Sequence, residues 1–312
     1  MIKDILKLAQ EFTDDPTFVF INEDGIRRYS DYIKRGISKD DKFLGTPPIK
    51  LIKDEKQRVN QIILYELLAG AVNYKYWYGK YNIRPNDSCA NKMYETLDKA
   101  FTSIVEPISV SSSYCSAVTD VFGQLLCQNR FPMVKERISH LQELKQNIVV
   151  GRGDPNNPPN ASFFINLMAE DIIDGTEDVE NWLNLLIYAF PGYSQDMFLK
   201  RAFLFFMMLY RRMGWFKDSI HKLPIPADYQ IPKILNTEGC LQYREDLREI
   251  IRTNELIPKG SLMECEIRAS SIIACRKIAE QCDVTMCKID EYIWLNRKKY
   301  RVPFHLTMTT DY

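Results

Sequence analysis

Histidine is scarce in this 312-residue chain, with three, and its eight cysteines include no C-x-x-C pair. His140, His221 and His305 stand far apart, and no Cys or His pair has metal-ligand spacing, so no metal is expected. There is no Gly-rich phosphate loop and no G-x-S-x-G elbow, and "GRGD" at 151–154 runs into Pro-Asn-Asn-Pro-Pro, not into a helix. That excludes the familiar nucleotide and hydrolase motifs and leaves no cofactor expected. Long apolar runs are also missing: the strongest, "FLFFMMLY" at 203–210, is far below the roughly 18 residues of a membrane span and reads as a buried helix. The opening "MIKDILKLAQEF" is too short and too interrupted for a signal peptide, so the scattered thiols are expected reduced, in the cytoplasm. An excess of either charge is missing as well, since 41 basic and 41 acidic side chains cancel. A general, electrostatically driven nucleic-acid binder is thereby disfavoured, and only local basic pockets remain open.

What the chain does have is helical periodicity. Apolar residues recur at three-four spacing over 54–77, 93–105, 115–128, 132–149, 162–173, 179–189, 196–213, 243–251 and 262–281, while strand-like alternation is scarce. The pattern predicts an all-α fold with 1–55 as an N-terminal accessory segment and 56–312 as a single helical catalytic domain. Hydrophobic residues at 46% and charged residues at 26% support a sizeable core. The Gly-Asn-Pro-rich stretch 151–160 predicts an exposed loop between two helical halves. In "GSLMECEIRA", Ser261 and Glu264 have capping-box spacing, which predicts a helix opening near Leu262 with Glu264 and Arg268 paired on one face.

Several stretches carry chemistry-bearing residues. Between Tyr74 and Tyr81, five aromatic residues and two lysines share eight positions, a core segment or a platform for a flat charged ligand. Asn73, Lys75, Trp77 and Tyr78 are the members expected to face a ligand. Asp228 lies between Pro226 and Pro232 where a loop meets a short helix, so the backbone fixes its carboxylate either as a helix cap or as an anion beside developing positive charge. Lys200 and Arg201 open the most apolar helix and either snorkel at its edge or grip phosphate. Asp290 and Trp294 stand four apart and would share one helical face. The segment "VPFHLTMTTDY" alternates His305, Thr307 and Thr309 and is expected to tuck against the body.

Taken in order, "NYKYW", "FP-Y" at 190–193, "FLKRA", "ADYQIPKIL", "GSLMECEIRA", "IDEYIW" and "VPFHLTMTTDY" resemble the queuosine-salvage nucleotide glycosidases. That helical family is distantly similar to helix-hairpin-helix DNA glycosylases. The resemblance spans 73–312 and implies that Asp228 acts at the sugar–base bond, that Lys200 lies near the site and that Asp290 contacts the base. Tyr229, Trp294 and His305 fall in the same motifs. The chain departs from the family pattern at Asn73-Tyr74-Lys75-Tyr76-Trp77, where Asn-Phe-Ser-Phe-Trp is usual, and at Leu295, where a second acidic residue is expected. The segment before "FLKRA" is also shorter.

A sister group of helical phage enzymes, the amino acid:DNA transferases of thymidine hypermodification, is similar in outline, and the "YWYG" run resembles theirs. Both chemistries expel a leaving group next to a nucleobase and leave electron deficiency that one carboxylate offsets, so Asp228 and Lys200 are the catalytic candidates in either. Arg201 would bind phosphate, and the aromatic platform would stack on the base. The reading preferred on sequence is transfer of an amino acid or polyamine onto the phosphorylated C5-hydroxymethyl group of deoxyuridine in double-stranded DNA, in the host cytoplasm. The alternatives are a queuosine 5'-phosphate N-glycosidase and a non-catalytic helical binding module.

Overall fold

The computed structural model describes residues 1–38, 40–77, 89–104, 109–149 and 161–312. In chain order the elements are α1 (Ile2–Asp14), β1 (Val19–Ile21), α2 (Glu23–Lys34), α3 (Glu55–Ala71), α4 (Cys89–Thr102), α5 (Ser112–Gln128), α6 (Val134–Val149) and α7 (Ala161–Asp174). They continue with α8 (Val179–Ala189), α9 (Lys200–Met213), α10 (Gln230–Thr237), β2 (Leu241–Tyr243), α11 (Glu245–Arg252), α12 (Leu262–Cys282) and α13 (Met286–Asn296). The expected helical fold is what forms, and the described residues add a short antiparallel ribbon pairing Val19 with Tyr243 and Ile21 with Leu241, and an isolated parallel bridge between Leu256 and Leu306. No described helix is long and apolar enough to cross a membrane. The predicted loop at 151–160 and the candidate Tyr78 lie outside the described residues.

The described residues form two compact units. The first gathers Met1–Asp41, Trp77 and Ile220–Tyr312. Its centre is α12, buried on nearly every face, against which α1, α2, α10 and α13 pack. Ser261 caps α12 as its spacing predicts, accepting from Glu264 N at 3.4 Å. The other half of the box differs, because Glu264 accepts from Gly260 N at 3.0 Å and turns its second oxygen to Arg268. Apolar periodicity predicts no helix before residue 54, yet α1 and α2 form with narrow apolar stripes laid on α12. Glu266, buried in α12, accepts from the main-chain N–H groups of Thr17, Phe18 and Val19 at 2.9, 2.7 and 3.0 Å, which pays for those donors as they leave water. Gly25 lets α2 approach closely: a Cβ there would fall 1.9 Å from Gly239 O.

The second unit, 42–76 and 89–219, is built around α3, whose residues from Val59 to Ala71 are all buried, flanked by α4, α6, α7 and α9. The apolar run 203–210 is the buried α9 that its composition predicts. Asp196 caps α9, accepting from Phe198 N and Lys200 N at 3.1 and 2.8 Å, and Gly214 ends it in the left-handed region at φ 75°.

Candidate active site

Helix α3 stops at Ala71, six residues short of the predicted 54–77, and the reason lies in what captures its last carbonyls. A helix C-terminus leaves carbonyl oxygens without partners and carries partial negative charge, so it attracts cations. Five successive carbonyls are taken by three buried cations. Arg201 Nη1 donates to Ala71 O at 2.7 Å, Arg137 to Val72 O, Lys200 Nζ to Asn73 O at 2.8 Å, and Arg137 Nη2 to Tyr74 O and Lys75 O at 2.6 and 3.0 Å. Lys200 also reaches Asn73 Oδ1 at 3.2 Å, and Arg201 turns its other nitrogen to Gly192 O. The turn so fixed holds Lys75 at φ 34°, a conformation that costs a non-glycine residue of order 1–3 kcal/mol and persists because the carbonyl contacts over-determine it.

Among the described residues of the aromatic run, Tyr74 and Tyr76 pack against buried cations. The Tyr74 ring lies 4.3 Å from the Arg137 guanidinium and 5.4 Å from that of Arg201, and Tyr76 lies 5.1 Å from Arg137. Lys75 is buried, and desolvation, reinforced by Arg137, lowers its pKa from the ordinary lysine value. Lys200 and Arg201 are buried in the same way, their side chains bonded to the 71–75 turn and, for Arg201, also to Gly192 O and at 3.5 Å to His140 Nδ1. The structure therefore brings Asn73, Lys75, Lys200 and Arg201 together in the second unit.

The first unit holds the remaining described candidates. Asp228 is half-buried just before α10, where its Oδ1 accepts from Gln230 N at 2.7 Å and Ile231 N at 3.4 Å. The cap reading is thus observed, and it uses one carboxylate oxygen; Oδ2 is outside these bonds. From the other side Arg268, buried in α12, donates from Nε to Ala227 O at 3.1 Å while its guanidinium lies 4.2 Å from the Tyr312 ring. Two cations act on Asp228. Burial pulls the Lys233 ammonium down to about 8, with Asp228 opposing the shift and Arg297 reinforcing it. Burial likewise lowers Arg297, with Asp228 and then Tyr229 acting against it. Arg297 stacks 3.6 Å from the Trp294 ring.

Tyr229 stacks on Phe304 with ring centroids 4.7 Å apart, and these two join Trp77, Leu306 and Tyr312 in a buried apolar cluster. From Phe304 onward the segment is tucked in as expected apart from exposed Met308, while Val302 and Pro303 are exposed. His305 is buried, its Nε2 is 3.2 Å from Tyr312 OH, and desolvation followed by the Arg268 charge drives its pKa down to about 3, so it is a neutral imidazole at physiological pH. Asp290 is buried on α13 and Trp294 half-buried four residues on. Leu295, where an acidic residue was expected, is 70% exposed.

Arg137, Lys233 and Arg297 carry no signal in the sequence that marks them as site residues. The turn carbonyls that hold Arg137 lie more than sixty residues upstream, whereas Lys233 and Arg297 have partners close by in sequence, Gln230 and Trp294, and it is their surroundings in the fold that set them apart.

A helical scaffold with one capped carboxylate between cations, beside an aromatic cluster, is the setting in which the chain's relatives become informative. The chain belongs to the queuosine salvage protein family, whose sequence model matches residues 52–312. It is similar to the queuosine 5'-phosphate N-glycosylase/hydrolase of Dictyostelium discoideum, 33% identical over 172 residues, or 48% of this chain and 53% of that protein. The alignment thus spans about half the length of that relative. Proteins of the same name from Bos taurus and Sphaerobacter thermophilus are 22% and 25% identical, the first over 97% of both chains, the second over 64% of this chain and 65% of its own.

Proposed function

We propose that the protein hydrolyses the N-glycosidic bond of queuosine 5'-phosphate or a close analogue, releasing the base and ribose 5-phosphate. Membership of a family whose relatives carry that activity in their names is the observation that carries the reading, and it favours the glycosidase over the DNA transferase preferred on sequence. The capped Asp228 supports it chemically. As the C1'–N bond breaks, positive charge grows at C1' and the ring oxygen; a carboxylate held beside that centre stabilises it and takes a proton from the attacking water. The electron pair of the broken bond leaves with the base, which gains a proton. Two main-chain bonds keep Asp228 from rotating, so its charge needs no reorganisation during the reaction. In this reading Trp77, Tyr229, Asp290 and Trp294, which lie in the first unit with Asp228, contribute to base recognition.

A second reading, transfer of an amino acid or amine onto phosphorylated 5-hydroxymethyl deoxyuridine in duplex DNA, is favoured by one feature. The exposed Leu295 stands where an acidic partner for an amine-bearing base was expected, and the cations Arg297, Lys298 and Lys299 follow it. Mass spectrometry separates the two. Incubation with queuosine 5'-phosphate is expected to release queuine, and incubation with the modified DNA and amino acids to give no adduct; the reverse result would overturn the proposal.

A further inference from the structure

The first unit contains a cavity of about 330 Å3 between α10, α11 and residues 302–305. No carboxylate lines it, whereas Lys233, Arg248 and Arg252 do. Lys233 is the deepest of the three at 8% exposure, and its ammonium, with three N–H donors, has one described hydrogen bond, to Gln230 Oε1 at 2.5 Å. Asp228 acts on this ammonium but does not line the cavity, so inside the cavity the buried cation favours an anion, and the lowering of its pKa by desolvation agrees with that geometry.

The two arginines belong to α11, one turn apart. Arg248 donates to Tyr243 O at 3.1 Å and to Glu245 at 2.9 Å, and Arg252 to Glu249 at 2.7 and 2.6 Å. Those carboxylates are largely in solvent, so the pairs are weak and either guanidinium is available to an entering ligand. Guanidinium forks match phosphate oxygens, and the buried ammonium supplies a fixed charge. The Phe304 ring adds an apolar surface. At the lower end of ligand-pocket volumes, roughly 300–1,000 Å3, the cavity is too large for phosphate alone and suits a phosphate attached to one ring or a short carbon skeleton.

We propose that this cavity binds a small organic phosphate monoester, with Lys233 as its anchor and Arg248 and Arg252 closing over the phosphate. The inference stands on the cavity and does not depend on which reaction Asp228 serves. The phosphate has two possible sources, the substrate's own 5'-phosphate or a separate metabolite.

Phenyl phosphate, with phenol as the uncharged control, tests the site by calorimetry on the full chain. Phenyl phosphate is expected to bind with a Kd of about 1 mM or below and phenol not to bind. Lys233→Met is expected to weaken binding at least about tenfold. The exposed pair Arg248→Ala/Arg252→Ala gives a second variant whose folding is not at risk, with the same direction of effect. No binding by the wild type up to about 10 mM, or equal affinity in whichever of these variants folds, overturns the proposal. A titration during turnover of queuosine 5'-phosphate identifies the source: competition, with KM rising at constant kcat, assigns the substrate's phosphate, and any other pattern assigns a separate ligand. Phenyl phosphate binding by a wild type that does not turn over queuosine 5'-phosphate would count against the glycosidase reading alone.

Discussion

Arg268 Nε lies 3.1 Å from the carbonyl oxygen of Ala227, so the residue before Asp228 is tied to the middle of α12. The same guanidinium pairs with buried Glu264 at 3.4 Å and lies against Tyr312. Three contacts in three directions require a planar fork. Arg268→Lys keeps the charge but cannot make all three, and Ala227 and Asp228 are then free to shift. We expect kcat on queuosine 5'-phosphate to fall by about ten- to a hundredfold with KM changed less than about threefold, since misplacement by an ångström carries that cost. A folded Arg268→Lys protein with wild-type kcat would remove Arg268 as a positioning residue.

Asp228 itself has two roles that one substitution separates. Asp228→Asn keeps an oxygen for Gln230 N and Ile231 N, so the cap survives and the melting temperature should move little. The negative charge is lost, and with it about 10²–10⁴ in kcat. Full turnover with Asn at this position would leave Asp228 as a cap alone.

How far the sequence revealed this arrangement depends on the range of the interaction. Helices α3 to α9, α11 and α12 follow from apolar periodicity because that pattern is local, and Ser261 shows its cap three residues away. Asp228 is visible because two flanking prolines and an adjacent helix mark it. The early end of α3 is not visible, since Arg137 and Arg201, which capture its carbonyls, lie more than sixty residues downstream. Helices α1 and α2 escape for a similar reason: their stripes are narrow, and their stability comes from α12, nearly 250 residues on. Lys233 and Arg268 carry charges that any local reading places in water.

The buried imidazole of His305 gives stability a pH dependence. Its folded-state pKa of about 3 lies below the unfolded value near 6.5, so the unfolded chain takes up the proton first. The contribution is fully present above the unfolded pKa and is lost as pH falls from about 6.5 towards 3, by up to about 1.4 kcal/mol per pH unit. Urea unfolding of wild type and His305→Gln at several pH values measures it. The stability of wild type relative to the variant should decline on acidification through this window, and a constant difference would contradict a buried, neutral His305.

Glu266 joins the N-terminal segment to α12 by receiving three main-chain N–H groups. Glu266→Ala leaves the Thr17, Phe18 and Val19 donors without that acceptor and opens a space in the interior. A loss of about 3 kcal/mol follows from stranding donors previously bonded to a charged group. Hydrogen exchange at these three amides should rise well beyond the average for the protein. Unchanged protection there would mean that the ribbon, not the carboxylate, orders this segment.

The last prediction concerns the turn after α3. Arg137 makes four main-chain contacts, to Pro132 O at 2.8 Å and to the carbonyls of Val72, Tyr74 and Lys75, while lying against two tyrosine rings. A lysine has one nitrogen at one point in space, so Arg137→Lys strands at least two buried carbonyls at about 1–3 kcal/mol each, a total loss of about 3–5 kcal/mol. The strained φ at Lys75 is held by these bonds and should relax without them. Because Lys75 is only 4% exposed, trypsin has no access to its peptide bond in the folded wild type. Arg137→Lys should therefore become cleavable after Lys75 under conditions where the wild type survives, before global unfolding sets in. If wild type and variant resist trypsin equally at that bond and unfold at the same urea concentration, the carbonyls are satisfied by Lys200 and Arg201 without Arg137, and the turn owes its shape to α9 alone.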